Sequence, residues 1–313
     1  MEYLVTGGAG FIGSHLVDAL AKKSDGIIIV DDFSSGKENN LAHHKNSKNV
    51  IIYKKSVCDD LASIFENHSI DVVFHLAALP KVQVSIKHPA KTHAVNVNGT
   101  LSLLQLCQKF NIKKFVFSSS SAVYGEQKKL PFQEHSTPDP LSPYALHKFI
   151  GEQYCALFSK LYALDTISLR YFNVFGPRQN PEGDYGFLIP KFITVVNNNQ
   201  SPVIFGDGEQ TRDFVYVSDV VDALLLAAET KDKKLQGQIF NVGSGINTSV
   251  NEIATHIIAL SKKNIKPTHT PPVIEPRNTL ADISKIKKAL GFSPKVSLEE
   301  GLTNTYKYFS KIA

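Results

Sequence analysis

The sequence predicts an α/β fold, with a doubly wound parallel sheet and a smaller mixed α/β lobe towards the C-terminus. Through about the first 170 residues, short β-branched runs alternate with amphipathic stretches, an order typical of a parallel sheet with helices on both faces. A glycine-rich turn joins the first such run to the first helical stretch. Beyond Asn173 glycine and proline become denser, and this change indicates a second lobe.

Six strands are predicted in the first part of the chain, each from a short apolar run rich in valine, isoleucine or phenylalanine. Helical sequence lies between them, and the clearest helices are predicted over residues 11–22 and 143–162. The predicted strands cover residues 3–5, 27–30, 50–53, 72–76, 115–118 and 166–169.

The second part of the chain is predicted to mix helices and strands. Helices are expected at 187–197 and 217–229, with a strand at 239–242. Prolines between residues 267 and 276 mark a long connection.

With 313 residues, the chain is long enough for one large unit or two closely joined ones. We expect residues 1–172 to form the sheet domain, with roughly 214–247 returning to it. Residues 173–213 and 248–313 are expected to form the smaller lobe.

The composition excludes several classes of protein. Apolar residues make up 42% and charged residues 20%, the usual balance of a globular protein. No stretch approaches the roughly 18 consecutive apolar residues of a membrane span, and no signal sequence precedes the first predicted strand, so we expect a cytoplasmic protein. The net charge of +5 is spread along the chain as lysines, which argues against a nucleic-acid partner. The widely spaced Cys58, Cys107 and Cys155 match no disulfide framework or metal-ligand pattern, so no metal is expected.

The turn after the first strand reads Thr6-Gly7-Gly8-Ala9-Gly10-Phe11-Ile12-Gly13 and opens the first helix. Glycines at this spacing let the backbone turn tightly and bring N–H groups close to a pyrophosphate at the helix N-terminus, where the helix dipole favours an anion. The second predicted strand ends in Asp31 and Asp32. A carboxylate there accepts hydrogen bonds from the adenosine ribose and repels a 2′-phosphate. The pattern therefore predicts a Rossmann-like domain that binds NAD rather than NADP.

Tyr144 and Lys148 lie four residues apart in a predicted helix, so they share one face of it. An ammonium beside a phenol stabilises the phenolate, and lowering a tyrosine pKa from ~10 to ~7 needs roughly 4 kcal/mol. This spacing alone also fits a solvated surface pair. Four serines at residues 118–121, however, end a predicted strand, where open α/β sheets place their ligands. The two features together predict an active site with a tuned tyrosine base.

The chain resembles the extended short-chain dehydrogenase/reductases, the NAD-dependent sugar epimerase/dehydratase family among them, and within that family the UDP-hexose 4-epimerases. The similarity runs from Met1 to about residue 300, and its motifs are jointly highly specific. The matching segments are 6–13, 75–78 (His-Leu-Ala-Ala), 118–125, 144–148, 170–173 (Arg-Tyr-Phe-Asn) and 206–213.

The resemblance implies NAD as the cofactor and Ser120, Tyr144 and Lys148 as the catalytic residues. Tyr144 would act as base on the sugar 4-hydroxyl, with Lys148 lowering its pKa and holding the nicotinamide ribose, and with Ser120 bonded to the same hydroxyl. Hydride would pass from C4 to NAD, the 4-keto sugar would turn, and the hydride would return to its other face. The cofactor would thus be regenerated in each turnover and stay bound. The implied cofactor contacts are Gly7, Gly10, Phe11, Ile12, Gly13, Asp31, Asp32, Ser34, Ser56, Val57, Leu76, Ala77, Ala78, Tyr144, Lys148 and Tyr171.

One cofactor position departs from the family pattern. Ser56-Val57 stands where members usually have Asp-Ile, whose carboxylate contacts the adenine amino group. Serine accepts the same hydrogen bond, so we expect weaker adenine recognition with the cofactor retained.

The resemblance also implies a UDP-sugar substrate. Asn173 and Arg212 would contact the diphosphate and Phe205 the uracil, although Phe205 also fits a core aromatic and Arg212 a surface ion pair. Arg277 is the candidate for a phosphate-binding arginine that many members carry near the C-terminus. The implied substrate contacts are Ser120, Ser121, Asn173, Leu188, Val203, Phe205, Arg212, Arg277 and Thr279.

Two positions bear on the reaction and the sugar. Ser121-Ala122 stands where family dehydratases carry Asp-Glu and decarboxylases a glutamate, and the missing carboxylate favours epimerisation. Thr279 stands where a family tyrosine restricts the site to glucose and galactose. Its small side chain predicts that UDP-GlcNAc and UDP-GalNAc are accepted, beside the non-acetylated pair. A simple turn-capping role is the alternative for Thr279.

Other functions stay open at the level of sequence. One is a UDP-glucuronate 4-epimerase or decarboxylase of the same family, and another is a catalytically silent NAD-binding scaffold, against which the intact catalytic residues argue. The resemblance also implies a homodimer, in which two helices of each subunit, at about 92–110 and 144–161, form a four-helix bundle.

Overall fold

The computed structural model describes residues 1–23, 26–181, 187–272 and 276–312. Its centre is a seven-stranded, fully parallel sheet flanked by helices, which confirms the predicted Rossmann-like α/β fold. Two small sheets, of three and two strands, lie beyond this sheet. The strands are β1 (Glu2–Thr6), β2 (Gly26–Val30), β3 (Val50–Tyr53), β4 (Ile70–His75), β5 (Lys114–Ser120), β6 (Thr166–Tyr171), β7 (Asn173–Phe175), β8 (Val203–Phe205), β9 (Thr211–Tyr216), β10 (Gln238–Val242), β11 (Asn247–Ser249) and β12 (Thr268–Thr270).

Helices connect the strands and cover the sheet. A π-helical turn at Ala94–Asn98 joins two of them, so the helix expected near 92–110 is built from three pieces. None of the helices in the described ranges combines the length and apolar character needed to cross a bilayer. The helices are α1 (Phe11–Leu20), α2 (Ala62–Asn67), α3 (Val82–Lys87), α4 (Pro89–His93), α5 (Gly99–Lys109), α6 (Pro143–Tyr162), α7 (Leu188–Asn197), α8 (Val217–Glu229), α9 (Val250–Ser261), α10 (Ser284–Leu290) and α11 (Leu298–Ile312).

The order of strands across the central sheet is β10-β6-β5-β4-β1-β2-β3. The chain runs outwards from β1 through β2 to β3 and then returns to β4 on the other side of β1. Such a reversal opens a crevice between the loops that follow β1 and β4, and open α/β sheets bind their ligands there. The topology thus directs attention to the carboxyl ends of β1, β4 and β5.

Both faces of the central sheet are buried over its middle strands, and β4 shows how its sequence achieves this. Side chains alternate between the faces of a strand. Val72 and Phe74 pack into the cluster that includes Leu16 of α1, whereas Val73 packs on the opposite face, in the cluster that includes Leu103 of α5. A continuous apolar run is therefore what this strand needs.

The smaller sheets form a lobe with its own core. In the three-stranded sheet, β9 lies between β11, which is antiparallel to it, and β7, which is parallel. Helices α7, α9 and α11 pack together and supply most of the apolar side chains, including Phe192, Ile253 and Leu302. By contrast, β10 pairs with β6 in the central sheet, although it lies between lobe segments in the sequence.

Candidate active site

The glycine turn leaves no room for side chains at two of its positions. Gly7 has a φ of +73°, and a Cβ on it would lie 2.7 Å from the amide nitrogen of Ala77. A Cβ on Gly13 would lie 2.1 Å from the carbonyl oxygen of Gly7. No side chain caps α1 at Gly10, so no capping group occupies the amides of its first turn. A close-packed glycine turn with uncapped helix amides fits the pyrophosphate of NAD.

The two aspartates after β2 have different surroundings. The buried Asp31 carboxylate accepts hydrogen bonds from the amides of Ala9, at 2.9 Å, and Phe33, at 2.8 Å. Burial raises its pKa, and these two bonds oppose the shift. Asp32 is exposed and accepts a hydrogen bond from the Ser34 amide at 2.8 Å. Asp31 therefore ties its loop to the glycine turn, and Asp32 presents a carboxylate to solvent at the end of β2.

The loop after β3 carries the position where serine replaces the expected aspartate. Ser56 Oγ accepts a hydrogen bond from the Cys58 amide at 3.2 Å, and the Ser56 amide donates to Asp59 at 2.8 Å. Val57 is buried and lies so close to Gly99 of α5 that a Cβ there would meet its Cγ2 at 2.6 Å. The loop is thus packed against α5, and the Ser56 hydroxyl already accepts a hydrogen bond within the loop.

The residues that follow β4 lie directly beside the glycine turn. Leu76 donates its amide to the Thr6 carbonyl at 3.1 Å, and Ala77 donates to Thr6 Oγ1 at 3.3 Å. The buried His75 ring bonds the same hydroxyl at 2.7 Å, and burial lowers its pKa to about 3, so it stays neutral. Ala78, which is half-buried, comes next. These contacts bring two separate cofactor motifs of the sequence to one crevice.

The predicted catalytic serine and tyrosine come together where β5 and α6 meet. Ser142 caps α6 by accepting a hydrogen bond from the Ala145 amide at 3.2 Å. Within the first turn, the Tyr144 amide donates to Ser85 Oγ at 3.0 Å, which anchors the start of the helix. Burial raises the pKa of Tyr144, and its side-chain hydrogen bond with Ser120 opposes that shift. The phenol therefore needs a further positive charge nearby before it can act as a base.

Lys148 lies on the next turn of α6. It is 4% exposed, and its Nζ donates to the Ser118 carbonyl at 2.7 Å and lies 5.0 Å from the centre of the Phe117 ring. Burial lowers its pKa to about 8, and the Glu152 carboxylate opposes the shift. Below that pH the side chain is an ammonium. The hydroxyl of Tyr171 lies 2.9 Å from Ser118 Oγ, so β6 also contributes to this crevice.

Behind this group lies a buried ion pair that the sequence interpretation did not include. Glu152 is fully buried, and its carboxylate accepts hydrogen bonds from Arg170 Nε at 2.8 Å and Nη2 at 2.7 Å. Ser119 Oγ donates to the same carboxylate at 2.5 Å. The available signal was Arg170 itself, a charged residue inside an apolar strand, since an arginine in a covered sheet requires a partner.

The two arginines that the sequence analysis predicts as substrate contacts lie together on the smaller lobe. Arg212 Nη1 donates to the carbonyls of Thr211, at 2.9 Å, and Arg277, at 3.2 Å. The Arg277 guanidinium makes two parallel bonds to Asp207, both of 2.8 Å, and lowers the pKa of that carboxyl to about 2. Arg277 would have to leave Asp207 to bind a phosphate with its full fork.

The other expected substrate contacts line the same lobe. Phe205 is 42% exposed on β8, with Val203 on the same face, so Phe205 is not a core aromatic. Leu188 begins α7, and Asn173, half-buried at the start of β7, donates to the β9 backbone at 3.4 Å. Thr279 is buried, and its hydroxyl has no hydrogen-bond partner among the residues that the structure describes.

A second buried carboxylate, also not anticipated from the sequence, organises this region. Asp213 accepts hydrogen bonds from the amide and the hydroxyl of Ser244, both at 2.7 Å, from the Gly245 amide at 3.0 Å and from the Ala281 amide at 3.1 Å. Burial raises its pKa, and these donors oppose the shift. Asp213 directly follows Arg212 in the sequence, and its side chain thus ties this part of β9 to the segment that carries Thr279.

The sequence matches the model of a known protein family. Residues 3–243 match the model described as the NAD dependent epimerase/dehydratase family. A relative described as a putative UDP-glucose 4-epimerase of Methanocaldococcus jannaschii is 42% identical over 303 residues, which cover 96% of this chain and 95% of the relative.

Two solved structures are similar over nearly their whole length. UDP-glucose 4-epimerase from Thermotoga maritima, solved with UDP-glucose, superposes with a TM-score of 0.94 at 42% identity, covering 100% of this chain and 99% of that one. UDP-N-acetylglucosamine 4-epimerase from Methanobrevibacter ruminantium, solved with UDP-N-acetylmuramic acid, superposes with a TM-score of 0.95 at 41% identity and the same coverage.

Proposed function

The chain belongs to the NAD-dependent epimerase/dehydratase family, and on that premise we propose that it inverts C4 of a UDP-hexose through a transient 4-keto sugar. NAD is the cofactor. The observation that carries the proposal is the meeting of Ser120, Tyr144 and Lys148 at the carboxyl end of β5, on the same edge of the sheet as the glycine turn. The two similar epimerase structures, which hold UDP-sugars, support the substrate class.

The side chains divide the proton chemistry between them. Tyr144, as phenolate, takes the proton of the 4-hydroxyl while Ser120 holds that oxygen by a hydrogen bond. Lys148, as ammonium, stabilises the phenolate from one helical turn away. Bound NAD would supply the hydride acceptor for C4 and the hydride donor for the other face of the ketone. Tyr144 then returns its proton to the new 4-hydroxyl, so the enzyme ends the cycle as it began.

The turn after β5 supports epimerisation over the other reactions of the family. Ser121 and Ala122 begin a 3₁₀ turn that ends at Tyr124, and no carboxylate lies in it. Glu126 follows the turn and is exposed. Elimination and decarboxylation need an acid or base beside the reacting carbon, and this turn offers none.

The smaller lobe would hold the nucleotide while the sugar turns. Asn173 and Arg212 are proposed to bind the diphosphate, since arginine binds phosphate with a planar, two-pronged fork. Exposed Phe205 offers a flat apolar surface to the uracil. Arg277 would add a third phosphate contact only after it leaves Asp207.

The decisive experiment incubates the purified protein with UDP-GlcNAc, UDP-glucose or UDP-glucuronate, without added cofactor, and separates the products by anion exchange with mass detection. We expect a galacto-isomer of equal mass from UDP-GlcNAc and UDP-glucose, with NAD copurifying. Conversion of UDP-glucuronate alone would transfer the proposal to that substrate, and a product lighter by one CO₂ would replace epimerisation by decarboxylation. No conversion of any sugar, even with added NAD, would overturn the proposed activity.

Sugar selection is predicted to depend on the size of residue 279. The Thr279→Tyr variant should lose turnover of UDP-GlcNAc by about tenfold to a hundredfold and keep turnover of UDP-glucose, because the phenol would fill the space for the acetamido group. The check is kcat/KM for both sugars, with Thr279→Val, which keeps the side-chain volume, as the control. Undiminished turnover of UDP-GlcNAc by Thr279→Tyr would remove residue 279 from the sugar pocket.

We also propose that the protein is a homodimer that pairs through α5 and α6. Three leucines on α6, Leu146, Leu157 and Leu161, are 45–59% exposed, which is unusual for one helix and supports a covered face. Sedimentation equilibrium at micromolar concentration should give twice the 34.5 kDa of the chain. Leu157→Lys should shift it to the monomer, and Ile246→Lys, at a 68% exposed site outside these helices, should not. A monomeric parent protein would contradict the proposal.

A further inference from the structure

A fully buried carboxylate lies one helical turn beyond the catalytic lysine. Glu152 follows Lys148 by four residues on α6, so the two side chains share one face of the helix. Both are buried, at 0% and 4% exposure, and neither reaches water to be screened. The mechanism above uses the lysine and leaves the carboxylate without a role.

Glu152 is held rigidly by contacts from two strands. Arg170 of β6 binds it through Nε at 2.8 Å and Nη2 at 2.7 Å, and Ser119 of β5 donates to it at 2.5 Å. Arg170 also lies 4.5 Å from the centre of the Tyr124 ring. Two hydrogen bonds from one planar fork fix the carboxylate in a single orientation. Its charge therefore has a fixed position relative to Lys148.

The other titratable groups around Lys148 carry no negative charge at neutral pH. Burial raises the pKa of the Cys155 thiol, lowers that of His147 and lowers that of His75 to about 3, so all three are neutral. Among the described residues, Glu152 is the one carboxylate that raises the pKa of Lys148. Further titratable groups on the packed elements are Tyr144 of α6, Arg170 and Tyr171 of β6, His93 of α4, whose ring contacts His147, and Cys107 of α5, whose thiol pKa is raised by burial.

A balance of charges follows for the working site. Lys148 and Arg170 are both buried, and the oxidised nicotinamide ring of bound NAD would add a third positive charge to this region. Without Glu152, a Tyr144 phenolate would be the single opposing charge, and Lys148 would lose its proton most readily because its ammonium can deprotonate while a guanidinium cannot. The negative charge of Glu152 offsets one of these three positive charges.

We propose that Glu152 is a positioning residue that keeps Lys148 protonated in the cofactor-bound enzyme. Its catalytic consequence depends on the proposed function, whereas its effect on Lys148 can be measured without any substrate. Removing the charge lets Lys148 deprotonate at lower pH. The ammonium form is then lost as the pH rises through this lower value, and the alkaline limb of activity moves to lower pH with it.

The test uses Glu152→Gln with Arg170 retained, because it removes the negative charge, leaves the positive charge of Arg170 in place and keeps a side-chain oxygen that accepts a hydrogen bond from the guanidinium. Protein with ¹³C-labelled lysine is purified with its bound cofactor, and the Lys148 Cε resonance, assigned through Lys148→Arg, is followed against pH by NMR. The apparent Lys148 pKa should fall by about one unit or more relative to the parent. The alkaline limb of kcat against pH should shift by the same amount.

Ser119→Ala is the matched control, since it removes a hydrogen bond to Glu152 and keeps the charge. Its Lys148 pKa should stay within about 0.3 units of the parent. An unchanged Lys148 pKa in Glu152→Gln would overturn the proposal, as would an equal fall in Ser119→Ala, which would show a merely structural effect. If Glu152→Gln does not fold, Glu152→Asp decides instead: a fall of about half a unit supports the proposal, and no change overturns it.

Failure of the proposed function gives a different experimental result from failure of the role proposed for Glu152. A protein that converts no UDP-sugar but shows the pKa shift keeps the role of Glu152 and loses the assigned reaction. A protein that converts the sugars with no pKa shift keeps the reaction and loses the role of Glu152.

Discussion

Replacing Tyr144 by phenylalanine is expected to lower kcat about 10³-fold, the usual contribution of a general base. The phenylalanine ring keeps the shape of the side chain, and the backbone bond from residue 144 to Ser85 is untouched, so the fold should stay intact. Only the hydroxyl that bonds Ser120 and takes the substrate proton is lost. The measurements are initial rates in both directions, the melting temperature and the NAD content after acid release.

A matched control is available on the same helix. Tyr162 ends α6 and is 52% exposed, so Tyr162→Phe should leave rate, stability and NAD content unchanged. If Tyr144→Phe kept more than a tenth of the parent kcat with NAD bound, Tyr144 would not be the base. If the parent and both variants all showed no activity, the silent-scaffold alternative would be favoured.

The Arg170→Met variant should lose about 3–5 kcal/mol of unfolding free energy, because it strands the Glu152 carboxylate in the interior. Glu152 is 0% exposed, and both of its oxygens accept hydrogen bonds from Arg170. At this chain length the loss corresponds to a fall in melting temperature of roughly 5–10 °C. Calorimetry or chemical denaturation of the purified variant gives the value.

Two further variants test whether the loss of unfolding free energy depends on how deeply the ion pair is buried. Arg178→Met removes another arginine–carboxylate pair, with Asp18, which is a quarter exposed and also lies within hydrogen-bond distance of His43 and His44. It should cost about 1 kcal/mol or less. Glu152→Gln/Arg170→Met should recover most of the loss, since no unpaired charge remains. Equal losses in Arg170→Met and Arg178→Met would contradict the reasoning.

The fold and the centre of the candidate site were predictable because their signals are local. Each strand of the central sheet is one apolar run, and the six predicted strands agree with the structure to within two residues at each end. The Tyr144–Lys148 pair depends only on the helical repeat, and the serines only on where β5 ends. Such features are determined by residues close in sequence.

Features that depend on distant segments could not be predicted. The Glu152–Arg170 pair requires the rotation of α6 and the register of β6 together, and no sequence spacing gives either. The same holds for Asp213, whose partners lie 31 to 68 residues away. Arg277 was expected at a phosphate, and the structure pairs it with the exposed Asp207, 70 residues earlier, a partner that no sequence spacing indicates.

The core of the smaller lobe has a consequence for how the protein is made. Its apolar side chains come from α7, from α9 and, at Leu302 and Phe309, from α11 at the end of the chain. All seven strands of the central sheet have been synthesised once Val242 leaves the ribosome, whereas this core must wait for the final helix. During translation, the half-built lobe therefore exposes Phe192 and Ile253 beside a sheet that is already able to form, and a ribosome that stops before α11 would release a chain prone to aggregation.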